Sequence, residues 1–339
     1  MLYYLSRRVF LALFTLFVIL YVSYWLLRLA PGDPTKSSFF GDGTSSEQNV
    51  SAEKGLHGRS KSMIEKLHLD KPVYVGFALW MKKLILEGDF GDSVSVDKGR
   101  PVMRLILERL PVTLKLNILA VIVTYLFAIP IGIHSAITKN SKLDFSVTFL
   151  LFLLYSLPSF WIALLLQATL CEGGKIPVFP LKGLVGTNGW GMTTWQILLD
   201  SAKHYVLPVF CLSYSGFAGL SRFARAGMVE VIRQDYIRTA RAKGLPEHIV
   251  ILKHAFRNAS ITLVTLFAGL LPGLVSGSIM IEYIFNIPGM GTLSMLALSS
   301  RDIPLLMALF CIGSGLTLFG ILFSDILYVV VDPRIRLDK

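Results

Sequence analysis

The residues best placed to do chemistry in this sequence are polar side chains set inside long apolar runs: the carboxylates Glu282 and Asp325 and the amides Asn117 and Gln167. Such groups are costly in hydrocarbon and mark either a polar pathway or hydrogen bonds between helices. For Glu282, near one end of its run, both roles stand open, whereas Asp325 favours structural pairing. Hydrolytic and metal chemistry finds no residues to carry it. There is no GxxxxGK(S/T) phosphate loop, since Gly174-Lys175 lacks both the upstream glycine and the following Ser or Thr. HExxH and GxSxG are absent, and His248 and His254 stand six apart, so neither catalysis nor a metal site is expected. Cys171, Cys211 and Cys311 show no CxxC spacing and read as small apolar packing residues.

The elements that must position these groups are membrane spans. Of 339 residues, 53% are hydrophobic and 16% charged, the composition of a membrane protein. A bilayer core of about 30 Å needs roughly 20 apolar residues per helix, because each amide must find its partner within its own helix. Six stretches meet or approach this length, at residues 9–29, 116–137, 145–170, 206–220, 261–284 and 304–331, the fourth being short. The expected fold is therefore an all-α integral membrane protein with about six transmembrane helices. Basic residues set the orientation. Arg7 and Arg8 precede the first span, Lys139 and Lys142 follow the second, eight Lys or Arg lie between Arg222 and Arg257 against three acids, and Arg334, Arg336 and Lys339 close the chain. Both termini are thus expected in the cytoplasm. The net charge of +11 is then explained by topology, and nucleic-acid binding is not expected. The first apolar run exceeds a signal-peptide core of about 7 to 15 residues and lacks a small-residue cleavage site, so it is expected to remain as a span.

Between spans the pattern changes. Residues 1–30 form the first helix, 31–111 an extracytoplasmic loop, 112–331 a five-helix core and 332–339 a tail. Residues 32–58 are rich in Ser, Gly and charge and read as loop. From Lys61, apolar residues including Met63, Leu67, Val73, Phe77, Trp80 and Leu84 recur at helical spacing around Pro72. These predict one or two amphipathic helices on the outer face, a turn at 87–93 and a second short helix ending near Leu110. Glycines and prolines preclude a helix across 171–195, where Trp190 and Trp195 suit an interfacial belt. Pro130, Pro158 and Pro272 permit kinks, and Gly269, Gly273 and Gly277 place a small-residue stripe on the fifth helix.

Residues 222–258 form a long basic, amphipathic cytoplasmic loop within the core. Val229, Ile232, Tyr236, Ala240 and Lys243 follow helical steps on one predicted face, with Arg233, Arg238 and Arg241 on others. Gly244 can take positive φ and end the helix, and Pro246 suits the first turn of the next.

Read from Asp235 as Asp-Tyr-Ile-Arg-Thr-Ala-Arg-Ala-Lys-Gly-Leu-Pro-Glu-His, this segment resembles the coupling loop of permease subunits of ATP-driven, binding-protein-dependent importers, and is most similar to their peptide and nickel branch. The resemblance extends over nearly the whole chain: Leu5-Ser-Arg-Arg-Val-Phe, Ala30-Pro-Gly-Asp-Pro, Gly88-Asp-Phe-Gly-Asp-Ser, Leu110-Pro-Val-Thr-Leu, Glu282-Tyr-Ile-Phe-Asn-Ile-Pro-Gly-Met-Gly, Arg301-Asp-Ile-Pro and Asp332-Pro-Arg-Ile-Arg. Two departures stand out. Arg238, Thr239 and Ala240 occupy positions where the family often has Glu-Ala-Ala, and Ala259-Ser-Ile-Thr stands where a proline is common. The 36–60 stretch is also longer than typical.

The resemblance implies a type I importer permease fold in a bacterial inner membrane. It implies pairing with a second homologous permease, two ATPase subunits that carry ATP and Mg, and an extracytoplasmic solute-binding protein, with di- or oligopeptides as cargo and no cofactor in this chain. Asp235, Tyr236, Arg238, Thr239, Ala240, Arg241, Lys243, Gly244 and Glu247 would couple to the ATPases; Glu282, Asn117, Gln167, Gly273 and Gly277 are the candidates for the translocation path. The rival reading is a secondary transporter driven by an ion gradient, which calls for matched broken helices in two halves, a pattern the unequal halves of this sequence lack.

Overall fold

The computed structural model describes residues 2–29, 71–184 and 193–331. The expectations for 31–70, for Trp190 and for the tail at 332–339 lie outside them. Among the described residues, four helices are long and apolar enough to cross a membrane, or five if a pair bent by 94° counts as one span, against the six expected. The chain divides into two compact units, residues 1–111 with 292–318, and residues 112–291 with 319–339.

In the first unit, α1 (Leu2–Leu29) packs against the amphipathic α2 (Val73–Glu87). Phe77 is the key residue of that contact, meeting Phe17 and Tyr21 edge to face at 5.5 and 5.2 Å between ring centres, a geometry favoured by ring quadrupoles. Leu20, Tyr24, Ile303 and Met307 complete the core. Gly88, at φ 64°, closes α2 by donating its amide to the Leu84 carbonyl, the usual service of a left-handed glycine. The expected short helix ending near Leu110 is instead the beginning of α3 (Val102–Ile137), which runs on through Pro111 as a single helix. The apolar residues from Val102 onward bury Val102, Leu105 and Ile106, and this packing outweighs the one backbone hydrogen bond that Pro111 removes.

In the second unit, α4 (Lys142–Ser156) and α5 (Ser159–Leu170) form the third expected span, bent by 94° at Leu157-Pro158. Pro158 forces Leu157 out of helical geometry, and the Tyr214 hydroxyl donates to the Leu157 carbonyl at 2.6 Å, satisfying a group the bend would leave bare. The fourth span proves to be the middle of α6 (Thr194–Ile232), 39 residues long; residues 222–232 thus continue a helix instead of opening a loop. Glycines set its approach to α3. A Cβ on Gly132 would lie 2.6 Å from Ala224 Cβ, and one on Gly216 would lie 2.8 Å from Thr124 Cγ2, so only glycine lets these backbones close. Where α4 begins, Arg225 grips the buried Asp144 with two hydrogen bonds of 2.7 and 3.1 Å, and Ser135 and the Asn140 amide donate to the same carboxylate. A buried charge needs this complete set of partners.

Beyond α6 come α7 (Asp235–Ala242), a single turn Glu247–Ile249, and a π-helical stretch Val250–Ala255 that flows into α8 (Phe256–Leu270). The helix therefore has no sharp start, in keeping with Thr262 where a proline is common. The fifth expected span, 261–284, is not one helix. It breaks into the 3-10 turn Leu271–Leu274 and then α9 (Ile279–Ile284), because Pro272 supplies no amide and Gly273 no helical preference. By contrast, Pro130 lies within the continuous α3. The last described helices are α10 (Met290–Ser299) and α11 (Ile303–Val331), which carries the half-buried Asp325.

Candidate functional site

Two parts of the second unit gather the residues singled out from the sequence. The first is the α7 segment. Its helix is short because the chain leaves helical geometry at Gln234, φ −71° and ψ 150°, before re-entering at Asp235. This interruption resets the helical phase. The face predicted to run from Val229 through Tyr236 and Ala240 to Lys243 is consequently broken: of its residues in α7, Ala240 points inward, and it does so together with Ile237, onto Ala136, Met228, Val250, Ile251, Ala255 and Ala259. Ile237 is fully buried, whereas Tyr236 is 44% exposed. The sequence signal for Ile237 was its place three residues before Ala240, but a single helix through 233–234 hid it.

Asp235, Arg238, Thr239, Arg241, Lys243 and Glu247 are all exposed. Gly244 has φ 75°, with open space where a Cβ would stand, so its role is conformational. Across that turn Arg241 forks onto Glu247, at 2.6 Å from Nη2 to Oε1 and 3.2 Å from Nε to Oε2. The guanidinium holds the Glu247 carboxyl below its ordinary value, and the carboxylate raises Arg241 in turn. Asn258, not anticipated from the sequence, donates from Nδ2 to the Tyr236 hydroxyl at 2.8 Å and to the His254 carbonyl at 3.2 Å, tying α7 to α8. The result is a basic helix anchored by two apolar residues, with its aromatic and cationic side chains left facing outward.

The second part is the broken span. Asn117, Gln167 and Glu282, distant in sequence, all converge on it. Asn117 Nδ2 donates to the carbonyls of Leu274 at 2.7 Å and Ser276 at 3.1 Å. Gln167 Nε2 donates to the carbonyls of Ile284 at 3.0 Å and Leu181 at 3.3 Å. Glu282 is fully buried, as is Thr113; the Thr113 hydroxyl donates to Glu282 Oε1 at 3.0 Å and accepts from the Met290 amide at 2.8 Å. Glycines enclose the carboxylate. A Cβ on Gly277 would fall 2.3 Å from the Gly291 nitrogen and 2.6 Å from Glu282 Oε1, and one on Gly289 would fall 2.6 Å from Glu282 Oε2. Gly273 differs, with nothing within 4 Å of the equivalent position.

Among the described residues no cluster of His, Cys, Asp or Glu could hold a metal ion. Among the described residues, four long apolar helices and a bent apolar pair define a multi-pass α-helical membrane protein, to which the second unit adds the basic α7. The chain belongs to the family of binding-protein-dependent transport system inner membrane components, whose model matches residues 128–337, and the N-terminal model of the same membrane components matches residues 1–117. It is 37% identical over 333 residues to the oligopeptide transport system permease protein AppB of Bacillus subtilis, covering 98% of this chain and 99% of that protein. It is 33% identical over 334 residues to the dipeptide transport system permease protein DppB of Lactococcus lactis, covering 98% and 99%. It is 32% identical over 338 residues to the oligopeptide transport system permease protein OppB of Haemophilus influenzae, covering 99% and 100%. The chain is accordingly a transport subunit of the type I permease fold that works within a larger complex, not an enzyme.

Proposed function

We propose that this chain forms half of a translocation path for di- or oligopeptides. Its partners are a second homologous permease, two ATPase subunits that bind ATP and Mg, and an extracytoplasmic solute-binding protein. The peptide class is supported by relatives that are themselves named as oligopeptide and dipeptide permeases. The skew of Lys and Arg supports a topology with both termini cytoplasmic, which puts α7 on the face where ATPases would sit.

The observation that carries the coupling role is the division of labour within α7. Ile237 and Ala240 anchor it to the ends of α3, α6 and α8, while Tyr236, Arg238, Arg241 and Lys243 stay exposed around the Gly244 turn. An element built this way transmits a push from a partner into the spans, since its inward face moves with them. ATP-driven closure of the ATPases would then rock the two permease halves between inward and outward access.

Mass spectrometry of the tagged chain after gentle detergent extraction tests this reading. Recovery of two ATPase copies and a second permease, with the ATPases lost from a Gly244→Val/Arg241→Ala variant, is the expected result. A chain that brings down no ATPase under any extraction condition would contradict it and favour the ion-gradient transporter.

A further inference from the structure

A helix that breaks at membrane depth frees carbonyls that water cannot reach, and such backbone persists only where protein or a water-filled cavity supplies partners. The break at residues 271–278 meets this requirement through side chains. Asn117 of α3 serves Leu274 and Ser276, and Gln167 of α5 serves Ile284, whose carbonyl is left free where α9 ends after the break. Gln167 also binds Leu181, and the Gly183 amide donates to the Phe285 carbonyl at 2.9 Å, so the loop after α5 is fastened to the same stretch. On the opposite flank the Glu282 carboxylate, Thr113 and Met290 close a second attachment to α3 inside the glycine enclosure. Both side-chain amides, Asn117 and Gln167, point at backbone carbonyls.

We propose that Asn117 and Gln167 are positioning residues for transport. They hold the broken span in shape by donating to its freed carbonyls, and they act on cargo only through that shape. The proposal rests on the permease reading above and departs from the expectation that these amides line the path themselves. It requires the donor, not polarity or size. Asn117→Asp keeps the volume and loses the donor, Asn117→Leu loses both, and Asn117→Gln keeps the donor.

The test uses the assembled complex in proteoliposomes with its binding protein as isolated, carrying copurified cargo. ATP hydrolysis is measured against binding-protein concentration, and amide hydrogen exchange is measured along the permease, where exchange reports local opening. Asn117→Leu, Asn117→Asp and Gln167→Leu are expected to raise exchange across residues 271–289 at least ten-fold and to lower maximal stimulated hydrolysis at least five-fold. The binding-protein concentration at half-stimulation should stay within two-fold, and exchange across 235–258 should be unchanged. Asn117→Gln should retain most of the activity. Normal exchange and activity in the Leu variants would overturn the proposal, as would an Asp variant that works while the Gln variant fails. An unsubstituted chain that yields no stimulated hydrolysis would instead overturn the permease reading itself.

Discussion

Ser93 donates its hydroxyl to Asp302 Oδ2 at 2.5 Å, and the same oxygen accepts the amides of Val94, Ser95 and Val96 at 3.0 to 3.1 Å. Asp302 is fully buried, and its other oxygen takes the Leu305 amide at 3.3 Å, capping α11. Arg301 enters the left-handed region at φ 53° to turn the chain into this arrangement, a conformation that costs a residue with a Cβ about 1 to 2 kcal/mol. Two sequence motifs more than 200 residues apart are thereby one structural unit.

Replacing Asp302 with Ala should therefore unfasten the 93–99 loop. Hydrogen bonds to a charged acceptor are worth about 1.5 to 3 kcal/mol each, and several buried donors would be orphaned together. Limited proteolysis should show cleavage within 93–100 appearing in the variant, with the cytoplasmic segment 235–258 as resistant as before. Unchanged resistance of the loop would show that other contacts hold it.

The glycines of the broken span should divide sharply. Gly277→Ala and Gly289→Ala each place a methyl within 2.6 Å of the Glu282 carboxylate, and overpacking of this kind costs about 1 to 3 kcal/mol. Gly273→Ala meets nothing within 4 Å and should be neutral. Thermal stability in detergent compares the three; equal melting temperatures would contradict the close-packed enclosure.

The Arg241–Glu247 clasp should be insensitive to pH over the physiological range. Glu247 has a lowered folded value, so its contribution is present above the ordinary carboxylate range, about 4.3, and is lost only as pH falls through the lowered value. Both partners are exposed, with 43% and 54% of their side-chain surface accessible, so the clasp is worth at most about 1 kcal/mol and weakens with salt. ATP hydrolysis by the complex should thus show no extra step between roughly pH 5 and 8 that Glu247→Gln removes. Such a step would mean that Glu247 is differently partnered in the assembly.

The sequence revealed the long apolar helices and the Gly244 turn, because apolar length and glycine placement are local signals, but six spans were expected where four helices and one bent pair have the length and apolarity. What it hid was where helices break and which partners meet. A gap of two residues at Arg233-Gln234 reset the helical phase, so that Ala240 shares its buried face with Ile237 and not with Tyr236. Pro111 suggested an end that packing of Val102, Leu105 and Ile106 overrode. Pro272 suggested a kink where the span in fact gives way to a 3-10 turn. Asn117 and Gln167 were legible as unusual residues in apolar runs, but the backbone carbonyls they serve belong to distant segments, and no spacing rule connects them.

Coupling through the Gly244 turn is the central claim, and the ratio of peptide taken up to ATP hydrolysed tests it most directly. Proteoliposomes of the full complex would carry the unsubstituted chain, Gly244→Val or Gly244→Asn. At φ 75° a β-branched residue is strained whereas Asn is tolerated. The account predicts an assembled Val variant that hydrolyses ATP with uptake per ATP reduced at least ten-fold, and an Asn variant near the original ratio. A Val variant with an unaltered ratio would contradict it.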